Sequence, residues 1–361
     1  MDIEPYDAIL LLGFGGPEHR EEVMPFLRRV TAGRGIPDER LAEVAAHYLH
    51  FGGRSPINDQ NRALLAALRT ELDARGLSTP LIWGNRNSAP FLPDTLREAA
   101  AGGLRRLVVV PTSAYSSYSS CRQYRENLAD AVATVTGEGL EVTVDKVAPY
   151  AVRPGFAQAS LVPLVASLRA LDGMPDTQVA LLFVTHSIPD TMDGTSGPPS
   201  GEGHLYQRQH LALAAYLAKE AGRQLGRELT GELVYCSRSG PPTQPWLEPD
   251  VGERIEQLAR GGIRAVVVAP IGFISDHMEV VYDLDTEAAA AAERVGVQFV
   301  RVPTVGTGSA FVADLVDAVL ERAAEARGES VPQFEGRMPS VCQSGCCPNL
   351  RTARPALCGR D

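Results

Sequence analysis

Gly102-Gly-Leu-Arg-Arg-Leu-Val-Val-Val-Pro111 is echoed by Gly261-Gly-Ile-Arg-Ala-Val-Val-Val-Ala-Pro270. In each stretch a glycine pair closes a helix, an apolar β-branched run forms a buried strand, and a proline stops that strand. The pattern around the two copies also repeats. The first half reads as strands Ala8–Leu12, Leu81–Gly84, Arg106–Val110 and Glu141–Val147, the second as Val179–Thr185, Glu232–Cys236, Ala265–Ala269 and Phe299–Val302. Between them the 3.6-residue period predicts helices over Arg20–Val30, Asp38–Phe51, Arg62–Ala74, Pro93–Ala101, Cys121–Thr136 and Phe156–Leu171. In the second half it predicts helices over Leu205–Leu225, Val251–Arg260, Val280–Val295 and Ser309–Arg327. Short, wholly apolar strands alternating with helices belong to parallel sheets covered on both faces. The expected fold is therefore α/β, with two similar doubly wound, Rossmann-like domains, each holding a four-stranded parallel sheet. The carboxyl edges of the sheets face one another across a central cleft. The expected boundaries are 1–165, 166–327 and a cysteine-rich tail at 328–361.

The chain has 361 residues, 44% of them hydrophobic, and a formal net charge of −10. That length suits two cores rather than one. The acidic balance argues against a nucleic-acid partner. No apolar run reaches the length of a transmembrane helix. The amino terminus, MDIEPYDAILLLGFGG, carries acids where a secretory signal carries bases, so a cytoplasmic location is expected. Gly13-Phe-Gly-Gly after the first strand lacks the glycine spacing of a dinucleotide fingerprint. There is no GxxxxGK[ST] and no HExxH, and no nucleotide cofactor is expected.

Two features carry chemistry. His186 ends or just follows the strand Val179–Thr185, at the sheet edge where ligands bind in open α/β folds. There its imidazole can serve as a base near neutral pH or as a metal ligand. The segment IGFISDHMEVVYDLDTE (271–287) places Glu279, Asp283 and Glu287 at every fourth position. On an α-helix they form a carboxylate ladder about 12 Å long on one face. An exposed acidic face would normally alternate with Lys or Arg, and this one does not. Oxygen-rich ladders suit hard or borderline divalent cations. Thr112–Tyr124, rich in hydroxyls and aromatics, lines the corresponding edge in the first half.

These residues resemble the ferrochelatase family over about residues 7–325. The resemblance is carried by LLLGFGGPE (10–18), HYLHFGGRSPIN (47–58), FVTHSIP (183–189), YCSRSGPPTQPWLEPD (235–250) and PIGFISDHMEVVYDLD (270–285). The HYLHFGG, GNRN (84–87) and SGPP forms look like its actinobacterial branch, whose enzymes metallate coproporphyrin III. The resemblance implies insertion of Fe2+ into that porphyrin, with coproporphyrin III and ferrous iron as substrates. It allows transient contact with neighbouring haem-pathway enzymes. It implies His186 and Glu279 as catalytic and iron-binding residues, with Asp283 and Glu287 behind them on the iron path. Ser55 and Tyr124 match porphyrin-contacting positions, Phe14 is a further porphyrin-binding candidate, and Arg29, Arg34 and Arg54 are candidate propionate partners. Phe14 departs from relatives in other Gram-positive groups, which carry a Tyr able to ligate product iron.

Alternatives are a protoporphyrin IX ferrochelatase, a cobalt or nickel chelatase of another tetrapyrrole, and a non-catalytic haem-binding or delivery protein. Cobalt and nickel chelatases commonly carry a second His in place of Glu279. Four of the six cysteines, Cys342, Cys346, Cys347 and Cys358, lie in a tail whose composition alone predicts disorder. Their spacing matches neither common ferredoxin pattern. The family resemblance implies a [2Fe–2S] cluster held by four of five candidates: Cys121, Cys342, Cys346, Cys347 and Cys358. Cys236, at a strand end, reads as buried structure.

Overall fold

The computed structural model describes residues 2–240 and 243–361. Pro241 and Pro242 of the SGPP form lie outside the described residues. The first sheet holds β1 (Ala8–Gly13), β2 (Leu81–Asn85), β3 (Arg106–Pro111) and β4 (Thr143–Lys146), in the order β2-β1-β3-β4. The second holds β5 (Val179–His186), β6 (Gly231–Cys236), β7 (Ala265–Ala269) and β8 (Gln298–Arg301), in the order β6-β5-β7-β8. Every pairing is parallel. The two echoed stretches are β3 and β7, which occupy the same place in their sheets. The doubly wound repeat expected from the letters is therefore borne out.

Alternation along the strands sorts side chains between cores. On β1, Ile9 and Leu11 face a large core shared by both sheets, while Ala8, Leu10 and Leu12 face the outer layer of the first sheet. Val184 and Val268 face the outer layer of the second sheet, whereas Phe183 and Val267 join the shared core.

The helices are α1 (Val23–Val30), α2 (Asp38–His50), α3 (Ile57–Ala74), α4 (Leu92–Ala101), α5 (Gln123–Gly137) and α6 (Pro154–Arg169) in the first half. Then come α7 (Asp190–Gly194), α8 (Leu205–Leu225), α9 (Val251–Arg260), α10 (Met278–Tyr282), α11 (Ala289–Arg294) and α12 (Ser309–Ala326). The last of these crosses back to pack on α3 and α6. Buried Arg153, just before α6, locks it there by binding Asp314 at 2.7 Å and Glu321 through both terminal nitrogens at 2.9 Å. Among the described residues no helix is long and apolar enough to cross a membrane.

Two predicted helices differ in a way that matters. The helix expected over Val280–Val295 is broken: α10 ends at Tyr282, a π-helical turn covers Asp283–Ala288, and α11 follows. The helix expected from Cys121 likewise begins with a π-helical turn, Tyr118–Arg122, before α5. Such turns hydrogen-bond i to i+5 and gather at functional sites. Both lie at the carboxyl edges of the sheets.

Candidate active site

His186 closes β5 with its ring half-exposed toward the cleft. Its Nδ1 lies 2.5 Å from the Ser187 carbonyl oxygen. A carbonyl only accepts, so Nδ1 carries the proton and Nε2 presents its lone pair to the cleft. Glu279 faces it, with Oε2 3.7 Å from Nε2. His277 completes the group, its Nδ1 4.0 Å from the same oxygen. Burial, opposed by Glu279, holds the His277 imidazole below its ordinary value. His277 was not among the residues expected from the sequence. Its only signal was its place two residues before Glu279. Among the described residues no three His, Cys, Asp or Glu side chains come to metal-binding spacing, in the cleft or in the tail.

A buried layer sets the His186 backbone. Tyr206 Oη donates to the His186 carbonyl at 2.9 Å, and Thr185 Oγ1 lies 2.7 Å from that hydroxyl and 2.9 Å from His210 Nε2. His210 stacks on Tyr115 with ring centroids 3.6 Å apart, and burial pushes it down to about 3, so it stays neutral. Tyr115 donates to the Ile271 carbonyl at 2.7 Å, joining the edge of the first sheet to that of the second. Gly272 is required here. A Cβ on it would lie 2.1 Å from Thr185 Oγ1, so only glycine lets the loop after β7 rest on β5 and carry Glu279 opposite His186.

The three ladder acids do not share one environment. Glu279 is exposed to the cleft, whereas the Asp283 carboxylate accepts a hydrogen bond from the Ser237 hydroxyl. Burial pushes the Asp283 carboxyl up to about 7. Ser237 opposes that rise, and Glu279, Glu287 and Asp250 reinforce it. Glu287 is exposed. Asp283 and Glu287 both line a groove of about 410 Å³ with Asp250, Glu253 and Glu256 of α9 and its cap. The acids are thus split between cleft and groove, with Glu279 on α10 and Asp283 and Glu287 on the π-helical turn that follows it.

The opposite wall comes from the first half. Phe14 sits at the end of β1, half-buried, edge-on to Phe26 with centroids 6.2 Å apart. Arg86 lies over Phe14 at 5.3 Å and over Tyr124 at 4.4 Å, its Nε donating to Asn127 at 2.6 Å. The sequence reading passed over Arg86, although the GNRN form contains it. Tyr124 is buried beneath it. Ser55 is buried behind the glycine turn, and a Cβ on Gly16 would lie 2.7 Å from the Ser55 Cβ. Of the arginine candidates, Arg54 is held by Asp59 at 2.5 Å and Arg29 by the Asn87 carbonyl at 2.9 Å. Arg34 is exposed at the cleft mouth. Helices α1 and α2 cover that mouth. Their core includes Met278 of α10, and His47 stacks on Tyr282 with centroids 3.8 Å apart.

The tail is docked. Asp361 pairs with Arg125 at 2.5 Å and Arg122 at 2.8 Å, Arg354 pairs with Glu126 and Asp130, and Arg125 donates to the Leu357 carbonyl at 2.6 Å. Disorder expected from composition is overridden by partners on α5 that no local pattern displays. Cys121, Cys342, Cys346 and Cys347 meet in one buried cluster. Cys347 also receives the Gly197 N–H on its sulfur at 3.1 Å. Cys358 is set apart: its backbone pairs with Cys342, but its thiol turns to the Val144 carbonyl at 3.5 Å. Cys236 packs in the outer layer of the second sheet.

Comparison with known proteins accords with this architecture. The ferrochelatase family matches residues 6–323. The coproporphyrin III ferrochelatase of Streptomyces coelicolor is 51% identical, over 100% of this chain and 98% of its own. That of Leifsonia xyli is 50% identical, over 98% and 94%. Among solved structures, SirB from Bacillus subtilis with Fe3+ has the same fold at a TM-score of 0.51 and 12% identity, covering 89% of this chain and 97% of its own. With the whole double-sheet body matched in sequence, the chain belongs to the ferrochelatase family.

Proposed function

We propose that this chain inserts Fe2+ into coproporphyrin III, releasing two protons per turnover. The observation that carries this reading is the facing of His186 Nε2 and Glu279 across 3.7 Å at the edge of the second sheet, opposite an aromatic and arginine wall. In this reading the porphyrin ring lies between the two. Its faces need apolar and aromatic contact, which Phe14 supplies, with Tyr124 beneath Arg86 supporting that wall, and its carboxylates need cations, which Arg34 and Arg86 supply.

The two pyrrole N–H protons are weakly acidic, so the ring must be bent to expose nitrogen lone pairs. Binding energy between two packed walls can supply that distortion. His186, with its Nδ1 proton held by Ser187, takes a pyrrole proton on Nε2. Glu279 stabilises the imidazolium that results and meets the incoming cation. Asp283, with a carboxyl near 7, exchanges protons readily at neutral pH and connects the cleft to the acidic groove. Two electron pairs on nitrogen replace two N–H bonds, and iron keeps its oxidation state.

The four thiols gathered at Cys121, Cys342, Cys346 and Cys347 support a [2Fe–2S] cluster with Cys358 as the spare cysteine. Thiols are the donors such a group takes, and these four share one buried group without standing at metal-binding spacing. Cys121 alone would resist ionisation, because its hydrogen bond with Cys342 and burial raise it, but Lys146 and Arg125 pull the other way and balance thiolate charge. Cys347 holds a φ of 51°, a left-handed conformation costing a non-glycine residue about 1 kcal/mol. When bound, such a cluster provides one-electron chemistry and fastens the tail to the body.

The test is His186→Ala. Coproporphyrin binding, followed by fluorescence quenching, should persist while iron insertion falls at least a hundredfold, the lower range for losing a general base (about 10²). A variant retaining a third of the parental kcat would refute the assignment.

A further inference from the structure

The tail touches both halves of the molecule. On the first half, Asn349 Nδ2 donates to Tyr118 Oη at 2.9 Å. On the second, Cys347 holds Gly197 twice. Its N–H donates to the Gly197 carbonyl at 3.0 Å, and its sulfur accepts the Gly197 N–H at 3.1 Å. Nearby, Ser200 Oγ donates to Gln343 Oε1 at 3.2 Å. Gly197 has a φ of 100°, and a Cβ on it would stand 3.1 Å from the Leu205 Cβ. Glycine therefore lets this loop rest against the start of α8.

The same loop caps α8. The first N–H groups of a helix lack partners within it and commonly take them from the residue just before. His204 stands in that place and makes no side-chain cap bond. The partners come from further back. Asp193 Oδ1 accepts from the Gln207 N–H at 3.1 Å. Ser196 Oγ accepts from the Tyr206 N–H at 2.9 Å and donates to the Asp193 carbonyl at 2.7 Å. Ser196 and Tyr206 are both buried. Tyr206 then turns to the sheet edge, where its Oη donates to the His186 carbonyl at 2.9 Å. A continuous run of contacts thus leads from Cys347 in the tail, through Gly197 and its neighbour Ser196, to the backbone of His186.

We propose that Ser196 is a positioning residue for His186, and that Cys347 of the tail holds the loop in which Ser196 acts. This rests on the reading of His186 as the base. Proton removal needs Nε2 within hydrogen-bond reach of a pyrrole nitrogen. The ring hangs on a backbone that Tyr206 fixes, and Tyr206 sits in the turn of α8 that Ser196 caps. Loosening the cap releases the Tyr206 hydroxyl, and with it the His186 carbonyl. Ser196 is buried and forms no part of the porphyrin wall, so the effect falls on the chemical step and not on binding.

The experiment makes two measurements on the full-length protein. The first is kcat and KM for coproporphyrin III in Ser196→Ala, Ser196→Thr, Tyr206→Phe and the double variant Ser196→Ala/Tyr206→Phe. Ser196→Ala should lower kcat about tenfold, equivalent to about 1.4 kcal/mol, with KM within about twofold. Ser196→Thr keeps the hydroxyl and should recover most of that loss. The double variant should be no slower than Tyr206→Phe alone, because both substitutions break one route. The second measurement is hydrogen exchange of the metal-free protein over residues 195–207, read by mass spectrometry. Cys347→Ala should speed exchange there about tenfold, because local opening becomes easier. Cys347→Ser keeps an acceptor for the Gly197 N–H and should speed it less, and Cys358→Ser should leave it unchanged. Parental kcat in Ser196→Ala, or losses that multiply in the double variant, overturns the positioning role. Unchanged exchange in Cys347→Ala overturns the hold of the tail on the loop. If His186→Ala itself stays active, the base reading falls and the positioning role with it, whatever the exchange shows.

Discussion

Asp283→Asn should make the metal-free protein more stable and a poorer enzyme. The Asp283 carboxyl is enclosed by Ser237 and Cys236 on the second sheet's edge and by Asp250 at the cap of α9. Along its own helix it is flanked by Glu279 and Glu287. Its pKa is pushed from 3.8 to about 7. In the unfolded chain the group ionises near pH 4. In the folded chain it keeps its proton until pH 7. Between those values the folded state binds more protons, so this residue makes stability fall as pH rises, and the loss is complete above the folded pKa. Three units at about 1.4 kcal/mol each come to about 4 kcal/mol at pH 8, an upper bound because the neighbouring carboxylates share it. At pH 5 only about 1.5 kcal/mol has developed.

Asparagine keeps an oxygen for Ser237 and carries no charge. The variant should therefore gain about 2 to 3 kcal/mol more at pH 8 than at pH 5. Urea unfolding of both metal-free proteins at the two pH values, followed by tryptophan fluorescence and circular dichroism, measures the difference. In parallel, KM for Fe2+ should rise more than KM for porphyrin. Equal stability differences at pH 5 and pH 8 would refute the reasoning, because the carboxyl would then titrate alike in both states.

Two further outcomes follow from the packing. Cys121→Ser should abolish the visible absorption bands of the proposed cluster and leave the tail open to protease, whereas Cys358→Ser should keep both bands and protection, since its thiol lies away from the other four. Arg153→Ala strands Asp314 and Glu321 at the contact between α6 and α12. It should lower stability by about 3 to 5 kcal/mol in urea while leaving the activity of the folded fraction near parental.

Much of the architecture was legible in the letters. A strand buried on both faces must be apolar along its length, and a helix must end where glycines break it. Both demands are local, so β3 and β7 announced themselves as copies and the eight strands could be read with it. His186 was legible for the same reason, since an apolar strand ending in His and Pro puts that ring at the sheet edge.

Other features depend on which segments meet. The period of Val280–Val295 is compatible with a continuous α-helix. In the fold that segment meets His186 through Glu279 and Ser237 through Asp283, contacts set by β5 and β6, and a π-helical turn runs from Asp283 to Ala288. His277 and Arg86 gained their places through Glu279, Phe14 and Tyr124, all distant in sequence or hidden by the turn between. Five cysteines were equivalent by spacing, and contact alone gathered four and turned Cys358 toward Val144. The tail's composition reads as disorder because it buries little of itself; its partners, Arg122, Arg125 and Tyr118, lie more than two hundred residues away. Sequence by itself determined the sheets, their repeat and the histidine at their edge, because burial leaves a periodic mark on every strand and helix. The tertiary structure alone decided which acids, thiols and arginines act together, because that grouping depends on distances between segments, and local periodicity does not record those distances.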